Sequence, residues 1–419
     1  MFRSARIALA ASRVAGVVTG LVTGLVTCLV TGLVAASIDP AAAQQNARVA
    51  TIDRLIDHVS NVPAIAGKHI DLFVREKAPL AIHNAPDGRA AKGKVALFVH
   101  GGYSPAKLAF DAEYRDYSWM EYLARAGYDV FAMDMTGYGQ SGRPMMDDPC
   151  NLEARYQDLV IPRTLAARCE PKYKFELVSS DTESADIDRV VDFIRKLRGV
   201  DKITLIGWSG GGIRTGTYTV RHPEKVEKLI IQASSNYDRR NPDEPPLVMP
   251  RPGAPMTLQI RSVGIDQRWL GTQKCEGFVE PGAPEAIWAL NTAMDPQAAQ
   301  WGPGGLRAPT RTYWGWNANA AKKITVPTLL MVGEQDDLMA SNLQLFDDLG
   351  AKEKAFLGIA CATHFAVWEK QRRVLHKASL DWLQNTRLTG KSTGMFRADN
   401  DGRITPHSGP YATAQRVAR

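Results

Sequence analysis

From Ile70 to Leu383 the chain alternates short apolar runs with longer segments of helical periodicity, and this alternation limits the fold more than any other feature. Ile70–Val74, Val95–Val99, Asp129–Met133, Ile203–Ile206, Lys228–Gln232, Thr328–Val332 and Ala355–Ile359 read as strands. Trp119–Ala126, Ser184–Leu197, Gly211–Arg221 and Phe365–Leu383 read as helices. In Ser184–Leu197 the apolar residues Ile187, Val190, Val191, Ile194 and Leu197 recur at helical spacing. Uniformly apolar strands separated by helices predict an α/β fold, a mostly parallel sheet covered by helices on both faces. Chemistry in such a sheet gathers just beyond the carboxyl ends of the strands.

Two stretches interrupt the alternation. Pro144–Ser180 is proline-bearing and holds Cys150 and Cys169. Asn236–Thr325 is rich in Pro and Gly and carries Trp269, Trp288, Trp301, Trp314 and Trp316. An insertion of that length between two sheet strands predicts a functional lid. Most of its tryptophans are expected to form the lid's own core, and some to line an apolar substrate pocket.

The first 43 residues read as an address. Arg3, Arg6 and Arg13 precede an uncharged stretch, Val14–Ala36, and then Ala41-Ala42-Ala43. A basic start, an apolar middle and small residues at a cut site are the order of a secretory signal. The alternative is a retained membrane anchor, since the stretch is long enough to span a bilayer. Either version places the body outside the cytoplasm, and membrane contact is expected only if this segment is kept. Residues 1–43 and 386–419 carry most of the formal net charge of +7. The body between them is nearly neutral and lacks a basic stripe, which excludes a nucleic-acid partner.

Loss of the leader removes Cys28 and leaves Cys150, Cys169, Cys275 and Cys361. Four cysteines permit three full pairings, and spacing does not choose among them. Cys150 and Cys169 are the favoured pair because they share one insertion. Such a bridge contributes roughly 3 kcal/mol by loop-closure arithmetic. No Cys or His spacing suits zinc. The stretch from Phe396 to Ile404 has a hairpin-like turn at Asn400–Gly402, but Arg397 stands where a calcium loop needs its first ligand. No metal or cofactor is expected.

Directly after the strand Ile203–Ile206 comes Gly207-Trp208-Ser209-Gly210-Gly211-Gly212, which fits G-x-S-x-G between a strand and a helix. A serine on so sharp a turn projects its hydroxyl from the sheet, and side chains at 207 and 211 would collide. The Gly210 amide opens a helix and can stabilise an oxyanion. His100-Gly101-Gly102-Tyr103 ends the strand Val95–Val99. The Gly102 amide is expected to be the second oxyanion donor, with Tyr103 as runner-up, and His100 to tie down its loop.

These segments together resemble the α/β-hydrolase superfamily, and within it the lidded serine esterases. Asp134-Met135-Thr136-Gly137-Tyr138-Gly139-Gln140-Ser141 resembles the loop between the oxyanion strand and the nucleophile strand. Val326–Asp336 resembles the strand bearing the acid, and Ala362-Thr363-His364-Phe365 the loop bearing the histidine. The resemblance implies a catalytic triad of Ser209, Asp336 and His364, in the chain order of that superfamily. Asp337 and Glu334 are rivals for the acid, with Asp238 as a more distant one. Asp134 is expected to fix its loop. The implied division is a signal over 1–43, core over 44–235, lid over 236–325, core over 326–385 and a basic tail over 386–419.

The implied activity is an exported serine hydrolase, a carboxylesterase cleaving a small-molecule ester with an apolar part through an acyl-enzyme. Serine at 209 argues against the epoxide hydrolases and haloalkane dehalogenases of this superfamily, which place an aspartate there. Thioesterase, lipase, lactonase, peptidase and carbon–carbon bond hydrolase activities use the same triad and stay open. A binding module without chemistry, built on the same fold, is the alternative of another class.

Overall fold

A computed structural model describes residues 48–84, 93–244 and 248–411. The leader expected over 1–43 lies outside the described residues. In chain order the strands are β1 (Val49–Val59), β2 (His69–Pro79), β3 (Val95–Val99), β4 (Asp129–Met133), β5 (Val178–Ser179), β6 (Ile203–Trp208), β7 (Val226–Gln232), β8 (Met256–Ile260), β9 (Gly305–Pro309), β10 (Arg311–Thr312), β11 (Thr328–Gly333), β12 (Lys354–Ile359), β13 (Gly394–Ala398) and β14 (Ile404–Pro406). Ten of them form one sheet in the order β1-β2-β4-β3-β6-β7-β11-β12-β13-β14. Pairing is parallel from β4 to β13, while β1, β2 and β14 run antiparallel to their neighbours.

Every residue of β3, β4, β6 and β11 is buried. The cause is cover on both faces, which leaves no wet side for polar residues to occupy. Trp119, Met120 and Leu123 of the helix Trp119–Arg125 pack on one face with Leu375, Ala378 and Trp382 of Arg372–Asn385. On the other face lie Ile187, Val190 and Val191 of Ser180–Arg198, Ile213 and Tyr218 of Gly210–Arg221, and Leu345 of Met339–Asp348. The α/β fold expected from the alternation is therefore the fold observed.

Several boundaries differ from the sequence expectation, each for a physical reason. The helix expected from Ser184 begins at Ser180, because the Ser179 and Thr182 side chains cap each other's backbone amides. The helix expected over Phe365–Leu383 is broken: a short 3-10 turn spans Ala366–Trp368, and the helix proper is Arg372–Asn385. Glu369 lies at the break and turns its carboxylate back to the Thr363 amide and hydroxyl. β1 escaped notice because it is an edge strand of mixed polarity, with Leu55 60% exposed and Ile56 buried beside it.

The basic tail expected over 386–419 is corrected as well. β13 adds in parallel to β12, and β14 turns back on it through the hairpin anticipated at Asn400–Gly402. Phe396 and Ala398 are buried, and Tyr411 packs beneath Gly358. Residues 394–411 thus complete the sheet and its core.

The lid boundaries change in two ways. First, the two excursions are one structure. β10 pairs with β5, Leu152 bridges Met256, and Met146, Leu152, Val160 and Val178 share an apolar cluster with Met256, Leu258 and Trp301. Second, residues 313–325 belong to the core. Trp316 is fully buried against Gly216, where an added Cβ would come within 2.1 Å of the indole. The cap is therefore built from both insertions and ends near β10.

Candidate active site

The turn between β6 and the helix Gly210–Arg221 places Ser209 at φ 57° and ψ −119°. Such backbone costs about 1–3 kcal/mol and persists only where the surroundings impose it. Here the Ser209 amide donates to the Gln232 carbonyl at 3.0 Å, and the Ser235 amide donates to the Ser209 carbonyl at 3.0 Å. Close approach explains the flanking glycines. A Cβ on Gly207 would lie 2.4 Å from the Gly211 oxygen, and one on Gly211 would lie 1.9 Å from the Val99 oxygen.

Ser209, His364 and Asp336 come together as one hydrogen-bonded chain. The Ser209 hydroxyl lies 2.9 Å from His364 Nε2, and His364 Nδ1 lies 2.9 Å from Asp336 Oδ2. With Asp336 ionised, Nδ1 carries the proton and Nε2 accepts from the serine. Asp336 is buried, and its other oxygen accepts the Leu338 amide at 2.9 Å. That leaves one face of the carboxylate for the imidazole. The rivals lie elsewhere: Glu334 is paired with Arg397 at 2.6 Å, Asp337 is exposed, and Asp238 is exposed beside Arg240.

The expected oxyanion glycines, Gly102 and Gly210, both line the cavity at Ser209. Gly210 opens its helix, so its amide has no acceptor within that helix. His100 does what the sequence suggested. It is buried, with Nε2 accepting the Met135 amide at 3.1 Å and Nδ1 donating to the Gly101 carbonyl at 2.6 Å. Burial and the nearby Arg214 charge push its pKa well below the ordinary value, so it is a neutral strut. Asp134 accepts amides from Ala106 and Gln140, which fixes the loops on either side. Tyr103 reaches across to the cap, its hydroxyl 2.6 Å from that of Thr257.

The contacts that hold the histidine loop had no local sequence signal. Trp208 Nε1 and Gln232 Nε2 donate to the His364 carbonyl at 3.1 and 3.5 Å. Glu369, buried beneath the loop, takes the Thr363 amide and also Trp269 Nε1 from the cap. Besides the expected Cys150–Cys169 bridge, a second disulfide joins Cys275 in the cap to Cys361, three residues before His364. An i-to-i+3 or i-to-i+4 pattern could not reveal partners 86 residues apart.

The cavity at Ser209 has a volume of about 210 Å³. Trp208, Trp288, Phe365 and Trp368 form apolar wall, with Arg268 and Arg311 among the polar lining. Of the five tryptophans expected in the lid only Trp288 reaches this cavity, while Trp269, Trp301, Trp314 and Trp316 are buried in packing. Among the described residues no cluster of three or more His, Cys, Asp or Glu side chains is placed to hold a metal ion.

Comparison with known proteins bears on the family. The family described as alpha/beta hydrolase fold matches residues 95–371, more than half of the chain. The bifunctional epoxide hydrolase 2 of Sus scrofa is 24% identical over 278 residues, 57% of this chain and 44% of that protein. A poly(3-hydroxyalkanoate) polymerase subunit of Allochromatium vinosum is 37% identical over 67 residues, 16% of this chain and 19% of that one. The chain thus spans less than half the length of these curated relatives. Among solved structures, a serine hydrolase involved in carbazole degradation is 17% identical with a TM-score of 0.44, covering 80% of this chain and 99% of its own. An esterase of Thermogutta terrifontis is 15% identical with a TM-score of 0.45, covering 80% of this chain and 100% of its own. The ten-stranded sheet, the strand–turn–helix at residue 209 and the match over 95–371 together lead to one conclusion: the chain belongs to the alpha/beta hydrolase fold family.

Proposed function

We propose that the protein is an exported serine hydrolase that cleaves a small carboxylic ester through an acyl-enzyme on Ser209. The observation that carries this reading is the unbroken chain Ser209–His364–Asp336, with 2.9 Å at each link. His364 Nε2 takes the hydroxyl proton as Ser209 Oγ attacks the carbonyl carbon. The amides of Gly102 and Gly210 receive the charge that develops on the carbonyl oxygen. Collapse breaks the carbon–oxygen bond to the alcohol, which leaves with the proton held by His364. Water then repeats the sequence: His364 takes a water proton, the hydroxide attacks the acyl carbon, and the proton returns to Ser209.

The size and walls of the cavity support a small substrate with an apolar part. Typical drug-sized ligand pockets are about 300–1,000 Å³, against about 210 Å³ here. Serine at 209 favours ester over epoxide opening, the activity in the name of the porcine relative. The basic, apolar and small-residue order at the N-terminus, with two disulfides in the body, supports export. Turnover of p-nitrophenyl butyrate tests the reaction: the wild-type protein releases nitrophenol, and Ser209→Ala lowers kcat by about 10³-fold or more. Equal rates in the two proteins would remove Ser209 as nucleophile.

A further inference from the structure

Arg311 stands on β10, where pairing with β5 and a Thr310 hydroxyl bond to the Ala254 carbonyl fix its backbone. Its guanidinium enters the Ser209 cavity between the two oxyanion glycines. Nη1 lies 3.3 Å from where a Cβ on Gly210 would stand, and Nη2 lies 3.6 Å from that of Gly102. Nη1 is buried without a hydrogen-bond partner. The nearest carboxylate is Glu183, 4.0 Å away, and it already serves Arg214 at 2.6 Å. Arg214 spends its other nitrogen on the His100 and Gly101 carbonyls beneath the oxyanion loop.

Glu183 is therefore shared unequally between two guanidinium groups, and the one it holds at the greater distance, Arg311, faces the cavity. Arg268 adds a second cation to the lining, and no aspartate or glutamate lines it. Arg311 lies over the Tyr313 ring at 4.9 Å, but its Nη1 has no hydrogen-bond acceptor, and a planar carboxylate is the ligand that matches guanidinium donors in pairs. The cavity is too small to favour a large anionic head group. The neighbouring oxyanion glycines place any anion on Arg311 close to the scissile carbonyl.

We propose that the substrate carries a carboxylate on its acyl group and that Arg311 binds it, which makes Arg311 the residue that selects anionic over neutral acyl chains. This rests on the serine-hydrolase reading above. Arg311 holds the carboxylate as an ion pair and takes no part in bond making.

Two esters of similar length test it: phenyl hydrogen succinate, which is anionic, and phenyl pentanoate, which is neutral. The wild-type protein is expected to give the higher kcat/KM with the succinate. In Arg311→Gln the succinate-to-pentanoate ratio of kcat/KM is expected to fall by about 100-fold, the loss of a charge-assisted pair. Arg311→Lys, which keeps the charge, is expected to restore part of the ratio. A wild-type preference for the pentanoate overturns the proposal even if the variants do not fold. An equal fall for both esters in Arg311→Gln also overturns it, because Arg311 would then be acting on the shared oxyanion. If neither ester is cleaved and a fluorophosphonate leaves Ser209 unlabelled, the serine-hydrolase reading itself has failed. Carboxylate recognition is then read directly, from calorimetric binding of phenyl hydrogen succinate to the full chain. Binding that Arg311→Gln removes supports the proposal, and no binding overturns it.

Discussion

Ser209 occupies a backbone conformation that side-chain-bearing residues rarely adopt, and its neighbours impose it. Gly207 and Gly211 let the turn close on itself, and the Gln232 carbonyl and the Ser235 amide hold it from the next strand. The same economy governs the acid. Asp336 is held by the Leu338 amide and points its free oxygen at His364, whereas Asp337 is exposed. Asp336→Asn is expected to lower kcat by about 10⁴-fold by favouring the wrong imidazole tautomer, while Asp337→Asn stays near wild type. Steady-state kinetics of the two variants checks this, and the reverse pattern would move the acid to Asp337.

A second residue carries a pH signature. His376 is buried against Trp119 and Tyr122, and burial, with the Arg372 charge beside it, pushes its pKa down to about 3. The unfolded chain takes up that proton near its ordinary value of 6.5, but the folded chain does not. Stability from this site is therefore complete above pH 6.5 and declines as the pH falls toward 3. By pH 4.5 the loss is on the order of 3 kcal/mol. His376→Phe should flatten the fall in Tm between pH 7 and 4.5. Parallel curves for the two proteins would show that His376 does not titrate as described.

At the scale of elements, the main question is how a cap made of two insertions stays registered over Ser209. The loop that carries His364 is tied to the cap at several points, among them Trp269 Nε1 on Glu369, Gln273 Nε2 on the Cys361 carbonyl at 3.2 Å and the Cys275–Cys361 disulfide. The segment beside Cys275 also grips the acid loop, with the Lys274 amide on Gln335 Oε1 at 2.6 Å. Cap position and triad geometry are thus coupled. Cys275→Ser should lower Tm and kcat together, since closing an 86-residue loop contributes about 4.5 kcal/mol. The Cys150–Cys169 bridge lies within the cap, so Cys150→Ser should lower Tm less and leave kcat nearly intact. Thermal melts and steady-state kinetics on the two variants decide. An unchanged kcat in Cys275→Ser would break the proposed coupling.

For the whole molecule, legibility followed the range of the interactions. Strands buried on both faces, such as β3, β4 and β6, announce themselves because nothing polar fits in them. The elbow was legible because its glycines and serine are contiguous. Asp336 and His364 became legible only through the resemblance, since no local pattern marks them. The remainder depended on partners far apart in sequence. Glu369 reads as an ordinary helix-start residue until the Thr363 loop folds over it. Arg311 reads as one more charge in a loop until β5 pairs with β10 and places it beside Gly102. β13 and β14 looked like a solvated tail because they are short and lie in a stretch dense in Lys and Arg, which hides the buried Phe396 and Ala398.

The central claim, that the fold activates Ser209 as a nucleophile through His364, has a direct measurement. The purified protein is treated with a fluorophosphonate probe and the modified peptide is mapped by mass spectrometry. The account predicts labelling at Ser209 that disappears in His364→Ala while the variant keeps its fold by circular dichroism. A folded wild-type protein that leaves Ser209 unlabelled, or labelling that survives His364→Ala at the same rate, would contradict it.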